Sequence, residues 1–309
     1  MDERDIITRF TAGLLEHGQA VRLLLERSAT IGRTPPPERL PGGEATAPAR
    51  TEPVKLWFCS NDELAPDLAD TLARHWLDRE EQEIAGRFLF ACDRRQYLVA
   101  HALVRRVLAL ESGLPEAEAV ILRSRRGRPY LRRPDHGLPR GGPGLDFNLS
   151  HAGGHNLLGV VSRHRIGVDV ERVDRGEQGL EAIVDTFARE ERDWVARAAP
   201  GRSRDCRTLR LWTLKEAYSK ARGLGLALPF DSFVFTLHEE RGVLHFRPPE
   251  DEEALPWRFL ELEPEPGVLA AVALLADGGV SPVLQLHRGF PWGREAAEVL
   301  ELPEPVLHR

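Results

Sequence analysis

Apolar positions along this chain alternate between helix-spaced and strand-spaced stretches. Between Asp5 and Arg27 the apolar residues Ile6, Phe10 and Leu14, then Val21, Leu24 and Leu25, recur at roughly helical spacing, interrupted by Gly13 and Gly18. That pattern predicts one helix or two. From Thr30 to Pro53 the periodicity stops, and Pro35-Pro36-Pro37 and Gly42-Gly43 give a linker composition with no fixed structure expected. The body opens with a strand-like run, Val54 to Cys59, followed by helical patterns over Pro66 to Leu77, Arg79 to Phe90 and Asp93 to Leu110. Short strands are predicted around Val120 to Arg123, Asp146 to Leu149, Leu157 to Val161 and Arg165 to Glu171. The same order then recurs. Helices are expected over Leu180 to Phe187, Arg189 to Ala198 and Ser203 to Arg222, and strands around Phe233 to Leu237, Val243 to Phe246, Arg258 to Leu262 and Leu269 to Leu275. Pro291 to Leu300 reads as a short terminal helix. Strand, helices and strands occurring twice predict an α+β body of two similar halves, residues 54–164 and 165–309, behind an extension over residues 1–53.

Composition narrows the class without naming a chemistry. With 309 residues, 42% hydrophobic and 29% charged, the chain has the make-up of a globular protein with one sizeable core or two modest ones. A formal charge of -6 argues against a dedicated nucleic-acid binder. The charge is uneven, however: Arg123, Arg125, Arg126, Arg128, Arg132 and Arg133 crowd one stretch, which suits either a compact polyanion such as a nucleotide or a solvated loop. Cys59, Cys92 and Cys206 are widely spaced and form no C-x-x-C pair, so neither a disulfide framework nor a zinc knuckle is expected. The chain opens on Asp2, Glu3 and Asp5 and has no long apolar run, so a cytoplasmic protein without a membrane partner is the expectation.

The candidate chemistry begins at Ile166-Gly167-Val168-Asp169-Val170-Glu171. If the segment is extended, Ile166, Val168 and Val170 share one face, and Asp169 and Glu171 the other. Two carboxylates on a buried strand need a counter-charge, and Mg2+ is the simplest, since it accepts one or two carboxylates together with phosphate oxygens. Downstream, Trp212, Lys215, Glu216, Ser219 and Lys220 stand at helical spacing, with Glu216 and Lys220 four apart on one face. An acid for a metal and an ammonium one turn away for phosphate oxygens is the pairing phosphate chemistry uses; a surface Glu-Lys pair is the plain alternative. Gly223-Leu224-Gly225 follows a helix and reads as its C-terminal stop, not as a dinucleotide loop. Ser150, His151 and Asp169 invite a hydrolase reading, but adjacent residues of an extended segment face opposite ways and no G-x-S-x-G elbow is present. Ser150, His151 and the N–H groups of the Gly153-Gly154 turn fit a phosphate contact better. No P-loop and no kinase motif set appears.

Phe147-Asn148-Leu149-Ser150-His151, Gly167-Val168-Asp169-Val170-Glu171 and Trp212-x-x-Lys215-Glu216-Ala217-x-x-Lys220 together resemble the signature motifs of 4'-phosphopantetheinyl transferases of the monomeric, surfactin-synthetase-activating type. Gly127-Arg128-Pro129-Tyr130 is similar to the family segment that touches the adenine part of coenzyme A. The resemblance covers about Val54 to Leu275. It implies a pseudo-dimer of two α/β halves with coenzyme A in the cleft between them and the metal site in the C-terminal half. It also implies Mg2+-dependent transfer of 4'-phosphopantetheine to a serine of an acyl or peptidyl carrier protein, or of a carrier domain in a megasynthase, with release of adenosine 3',5'-bisphosphate. By position, Asp169, Glu171 and Glu216 would hold Mg2+, Lys220 would neutralise the diphosphate, and Lys215 would either assist or pack. Glu191 occupies the place of a family carboxylate proposed to accept the serine proton, with Glu190 beside it and a metal-bound water as the other base. Ser150 and His151 would contact phosphate, and Arg128 and Pro129 the adenine side. The segment from Arg87 through Arg94 and Arg95 resembles the family's basic helix near the 3'-phosphate, but Glu81 and Ile84 fall where some relatives carry lysines, so Arg87, Arg94 and Arg95 would have to compensate. A coenzyme A or carrier-binding protein without catalysis is the alternative, against which the intact Asp169, Glu171, Glu216 and Lys220 argue. The extension over residues 1–53 is expected to be disordered or loosely docked; it would dock on a megasynthase, self-associate, cover part of the body or do nothing catalytic.

Overall fold

The computed structural model describes residues 50–132, 144–162, 164–174, 180–250, 255–276, 280–292 and 297–304. The helices expected between Asp5 and Arg27, and the linker as far as residue 49, lie outside the described residues. The body is a four-layer sandwich with helices outside two sheets. In the first half, β1 (Arg50–Ser60) leads to helices α1 (Pro66–Trp76), α2 (Arg79–Ala85) and α3 (Ala91–Ser112). The short hairpin of β2 (Ile121–Arg123) and β3 (Pro129–Leu131) follows, and then β4 (Leu145–Ala152) and β5 (His155–Ser162). The second half runs through β6 (Arg165–Arg172), α4 (Leu180–Val184), α5 (Arg189–Ala196) and α6 (Arg202–Arg222). It continues with β7 (Val234–Leu237), β8 (Val243–Arg247), β9 (Trp257–Glu265) and β10 (Val268–Leu275), and ends with β11 (Val280–Arg288) and β12 (Glu298–Leu300).

Period-two alternation explains the layers. On β1, Val54, Leu56 and Phe58 face a core shared with Ile166, Val168 and Val170 of β6 and Val272 and Leu274 of β10, whereas Trp57 and Cys59 face the core under α1 and α3. The inner faces of the two sheets therefore make one core. On the other side of the second sheet, α6 packs Leu214, Ala217, Tyr218 and Ala221 against Phe233, Phe246, Trp257 and Phe259. Gly167 permits this close approach, since a Cβ there would lie 1.9 Å from the Ala217 carbonyl oxygen. Each half thus carries one long helix on one sheet, which fits the two similar α+β halves expected from the doubled pattern.

The topology departs from a simple division at residue 164. The first sheet has the order β12-β11-β1-β5-β4, with β11 parallel to β1, so the C-terminal segment completes the sheet of the first half. Only β6, β10 and β9 form the second sheet. The division expected at residue 53 is also displaced, because β1 already begins at Arg50. The terminal helix expected over Pro291 to Leu300 is replaced, where described, by β12, which pairs Leu284, Gln285 and Leu286 of β11. α2 stops at Ala85, short of the expected Phe90, because Gly86 follows it and the chain turns, leaving Leu89 and Phe90 exposed. Cys59, Cys92 and Cys206 are free thiols.

Candidate active site

The two sheets meet where β4 runs beside β6, and side chains replace the missing ladder there. Asp146, Asn148 and Ser150 share one face of β4 by alternation. Asp146 Oδ2 accepts the N–H of Ile166 at 2.9 Å, Asn148 Oδ1 accepts that of Val168 at 2.8 Å, and the Ser150 hydroxyl donates to Asp169 Oδ1 at 2.7 Å. The next turn of alternation on β6 places Asp169 and Glu171 toward α6. From that helix, Trp212, Glu216 and Lys220 stand four residues apart on one face. Lys220 Nζ donates to Asp169 Oδ1 at 2.5 Å and to Ser150 Oγ at 3.0 Å, and Trp212 Nε1 donates to Glu171 Oε1 at 3.2 Å. The C-cap Gly223, at φ 68°, ends α6 just beyond Lys220, as its position after the helix predicted.

The electrostatics of this cluster are unbalanced toward acid. Glu216 is buried, and its carboxyl is pushed up to about 7 by burial, by Asp169 and by Glu171, against the pull of Lys220. Asp169 is 4% exposed, and its Oδ2 is a buried oxygen with no hydrogen-bond partner among the described residues. A buried carboxylate oxygen without a donor is costly and is the kind of atom a cation satisfies. All three acids offer hard oxygen donors. Among the described residues no three carboxylate, imidazole or thiol groups converge closely enough to cage an ion as they stand; Lys220 occupies Asp169 Oδ1 instead. A cleft of about 330 Å³ opens beside Lys220, lined by Ser150, His151, Pro129, Arg123, His101 and Glu81 among others. Desolvation there, together with the nearby His101 and Lys220, holds His151 below its usual imidazole range.

Family comparison fits both halves. A model described as the 4'-phosphopantetheinyl transferase superfamily matches residues 165–273, and one described as 4'-phosphopantetheinyl transferase, N-terminal, matches residues 65–162. A phosphopantetheinyl transferase of Thraustochytrium sp. is 32% identical over 225 residues, covering 69% of this chain and 76% of that protein. The chain belongs to the 4'-phosphopantetheinyl transferase superfamily. It is similar also to the 4'-phosphopantetheinyl transferase HetI of Nostoc sp., at 30% identity over 74% of this chain and 90% of the relative. The 4'-phosphopantetheinyl transferase ffp of Bacillus subtilis is 29% identical over 64% of this chain and 81% of its own length.

Several residues expected at the transferase site lie elsewhere. Lys215 is fully buried on the other face of α6, where its Nζ meets Glu191 Oε2 at 2.8 Å and donates to the carbonyls of Phe230 and Phe233 at 2.6 and 2.7 Å. The Phe233 ring lies 4.2 Å from it. Glu191 is 2% exposed, and its oxygens accept from the N–H groups of Ala188 and Phe235 as well as from Lys215. Both oxygens are satisfied within the core, so the geometry makes this pair a tie between α5, α6 and β7 and does not bring it to Asp169. Burial pushes Glu191 up and Lys215 down, the latter to about 8. Glu190, beside it, is exposed and paired with Arg247.

The expected nucleotide contacts divide in the same way. Pro129 lines the cleft, but the Arg128 guanidinium turns inward to Asp146 Oδ2 at 2.7 Å, the Ile166 carbonyl at 2.8 Å and the Lys220 carbonyl. It fastens the end of α6 to β4 and β6. Arg94 pairs with Asp70 at 2.6 Å, and Arg95 donates to the carbonyls of Asn61 and Leu64, each at 3.0 Å. These two arginines line a separate hollow beyond the Gly153-Gly154 turn, and Arg87 is exposed in the turn after α2. The N–H of Gly154 is already bonded to Gln96 Oε1 at 3.0 Å. Sequence reasoning did not single out Asp146, Asn148 or Trp212 as residues that hold the acids in place. The first two were signalled by their period-two spacing with Ser150.

Proposed function

We propose that this transferase moves 4'-phosphopantetheine from coenzyme A to a serine of an acyl or peptidyl carrier protein. The reading rests on family membership and, in the structure, on Ser150, Asp169 and Lys220 bonded to one another beside the cleft, with Glu171 and Glu216 close enough to act on each other's charge and Asp169 Oδ2 left without a donor. Asp169, Glu171 and Glu216 would hold Mg2+, which when bound supplies charge neutralisation for the diphosphate. Lys220 leaves Asp169 for a phosphate oxygen as coenzyme A enters, an exchange of one anionic partner for another. Ser150 and His151 orient the nucleotide end from β4, with Pro129 as the apolar wall. The carrier serine oxygen then forms the new bond to the pantetheine-side phosphorus. The bridging phosphorus–oxygen bond breaks, and adenosine 3',5'-bisphosphate leaves. Holding that phosphorus in line and screening its oxygens is the main catalytic task. The serine proton passes to solvent water in the open cleft and not to Glu191, whose oxygens are fully engaged in the core. Both walls of the cleft come from one chain, which supports action as a monomer.

The test is intact-mass spectrometry of an apo carrier protein incubated with this protein, coenzyme A and Mg2+, beside an EDTA control. A gain of one phosphopantetheine that EDTA abolishes supports the reading. No gain on several unrelated carriers, with coenzyme A bound to the protein, would leave a binding protein without catalysis.

A further inference from the structure

A second buried ion cluster reaches the cleft, and it uses Glu81, which falls where some relatives carry a lysine. Glu81 sits in the first turn of α2 as part of a capping box, accepting the N–H of Asp78 at 3.0 Å. The same oxygen takes the Arg105 guanidinium at 2.5 Å, and Arg105 is itself fixed by Asp78 Oδ2 at 2.9 Å and by the Ala119 carbonyl. The remaining oxygen of Glu81 meets His101 Nδ1 at 2.8 Å. Tyr97 stacks on the same imidazole with ring centroids 3.9 Å apart. His101 is therefore held on one nitrogen and one ring face, while its Nε2 has no hydrogen-bond partner among the described residues and the residue lines the cleft.

We propose that His101, aligned by Glu81, is a phosphate-binding side chain of this cleft, donating from Nε2 in its protonated form to a phosphate oxygen of coenzyme A. The inference rests on the transferase reading and adds a specificity residue to it. The orientation follows from hydrogen-bond chemistry. A carboxylate at Nδ1 only accepts, so Nδ1 carries a proton, and Nε2 is a lone pair when the ring is neutral and an N–H donor when it is charged. Burial alone would push the Glu81 carboxyl up, but His101 and Arg105 outweigh it and hold it below its usual range, so the imidazolium keeps its counter-charge. The groups around the ring favour an anionic ligand. Arg123 comes from β2, His151 from β4 and Lys220 from α6. Glu81 is the acid at the cleft wall, with Asp78 at the N-cap of its helix and Glu80 in the first turn, and from α3 Tyr97 stacks on the ring while Arg105 bonds Glu81. Both Glu81 oxygens are already engaged, so the cleft presents cations to whatever enters. Of the species in the proposed reaction, the phosphates of coenzyme A fit that field.

The experiment measures coenzyme A binding by calorimetry, and its KM and kcat in transfer, for the wild type, His101→Gln and Glu81→Gln under one set of conditions. His101→Gln is expected to weaken binding about tenfold, the size of a lost charge-assisted hydrogen bond. The loss should fall on KM and leave kcat close to wild type. Glu81→Gln, which keeps an acceptor at Nδ1 but removes the charge, should shift in the same direction by less. Unchanged coenzyme A binding in His101→Gln, or a loss confined to kcat, overturns the proposal while wild-type transfer leaves the parent reading standing. A wild type that neither binds coenzyme A nor transfers its arm overturns both.

Discussion

Lys220 and Lys215 are five residues apart on one helix and have opposite fates, and the difference decides what their removal does. Lys220 is partly exposed and shares Asp169 with Ser150, so Lys220→Ala should lower kcat/KM on the order of 100-fold, the loss typical of one charge contact made in the transition state. Glu171→Ala should abolish transfer with little change in Tm; full activity in that protein would remove Glu171 from the proposed Mg2+ site. Glu216 offers a check by pH. Its folded value, about 7, lies above the ordinary carboxylate range, so the folded state holds a proton that the unfolded chain has released. The stability this contributes is complete at pH values below the ordinary carboxylate range and is lost as pH rises to about 7. Tm of the metal-free protein should therefore fall over that interval, and the slope should flatten in Glu216→Gln. An unchanged slope would show that Glu216 is ionised throughout.

At the level of elements, α6 works with two faces. Trp212, Glu216 and Lys220 meet the acids of β6, and Lys215 with Tyr218 faces the aromatic core. The Glu191–Lys215 pair fixes that second face against α5 and β7. Removing one partner leaves a buried charge, so Glu191→Gln should cost about 3–5 kcal/mol of stability in chemical unfolding, while the folded fraction keeps its kcat. Unchanged stability with lost transfer would instead mark Glu191 as the proton acceptor. Arg128 plays a similar part at the other end of the helix. Because its guanidinium bonds the Lys220 carbonyl, Ile166 and Asp146 together, it fixes the end of the helix that carries Lys220.

On the scale of the whole molecule, the halves are interlocked by β11. This strand lies parallel to β1 along nine residue pairs from Arg50 to Phe58, and Leu284 and Leu286 complete the core between the sheets. A fragment covering residues 50–162 would bare Val54, Leu56, Phe58, Leu157 and Val161, which the second half covers in the full chain. It should show no cooperative thermal transition by circular dichroism, whereas the full chain should melt in one step; a cooperative melt of the fragment would make the first half an independent domain. The same interlocking brings β4 against β6 and so builds the cleft from both halves.

Most elements of the body and the chemistry-bearing motifs were legible in the sequence because they depend on local periodicity. Alternation put Asp169 and Glu171 on one face, and four-residue spacing put Glu216 with Lys220, whatever the rest of the chain did. Tertiary structure alone decided which helix face met the acids. Lys215 and Lys220 are both basic residues on a helix, and only packing against Phe233 and Glu191 separates them. It also decided that Arg128 turns inward, that Arg94 and Arg95 serve a different hollow, and that Glu81 meets His101 from twenty residues away. The pairing of β1 with β11 spans most of the chain, and no local pattern encodes it. Periodicity states which residues share a face; what that face touches is set by the contacts that close the fold.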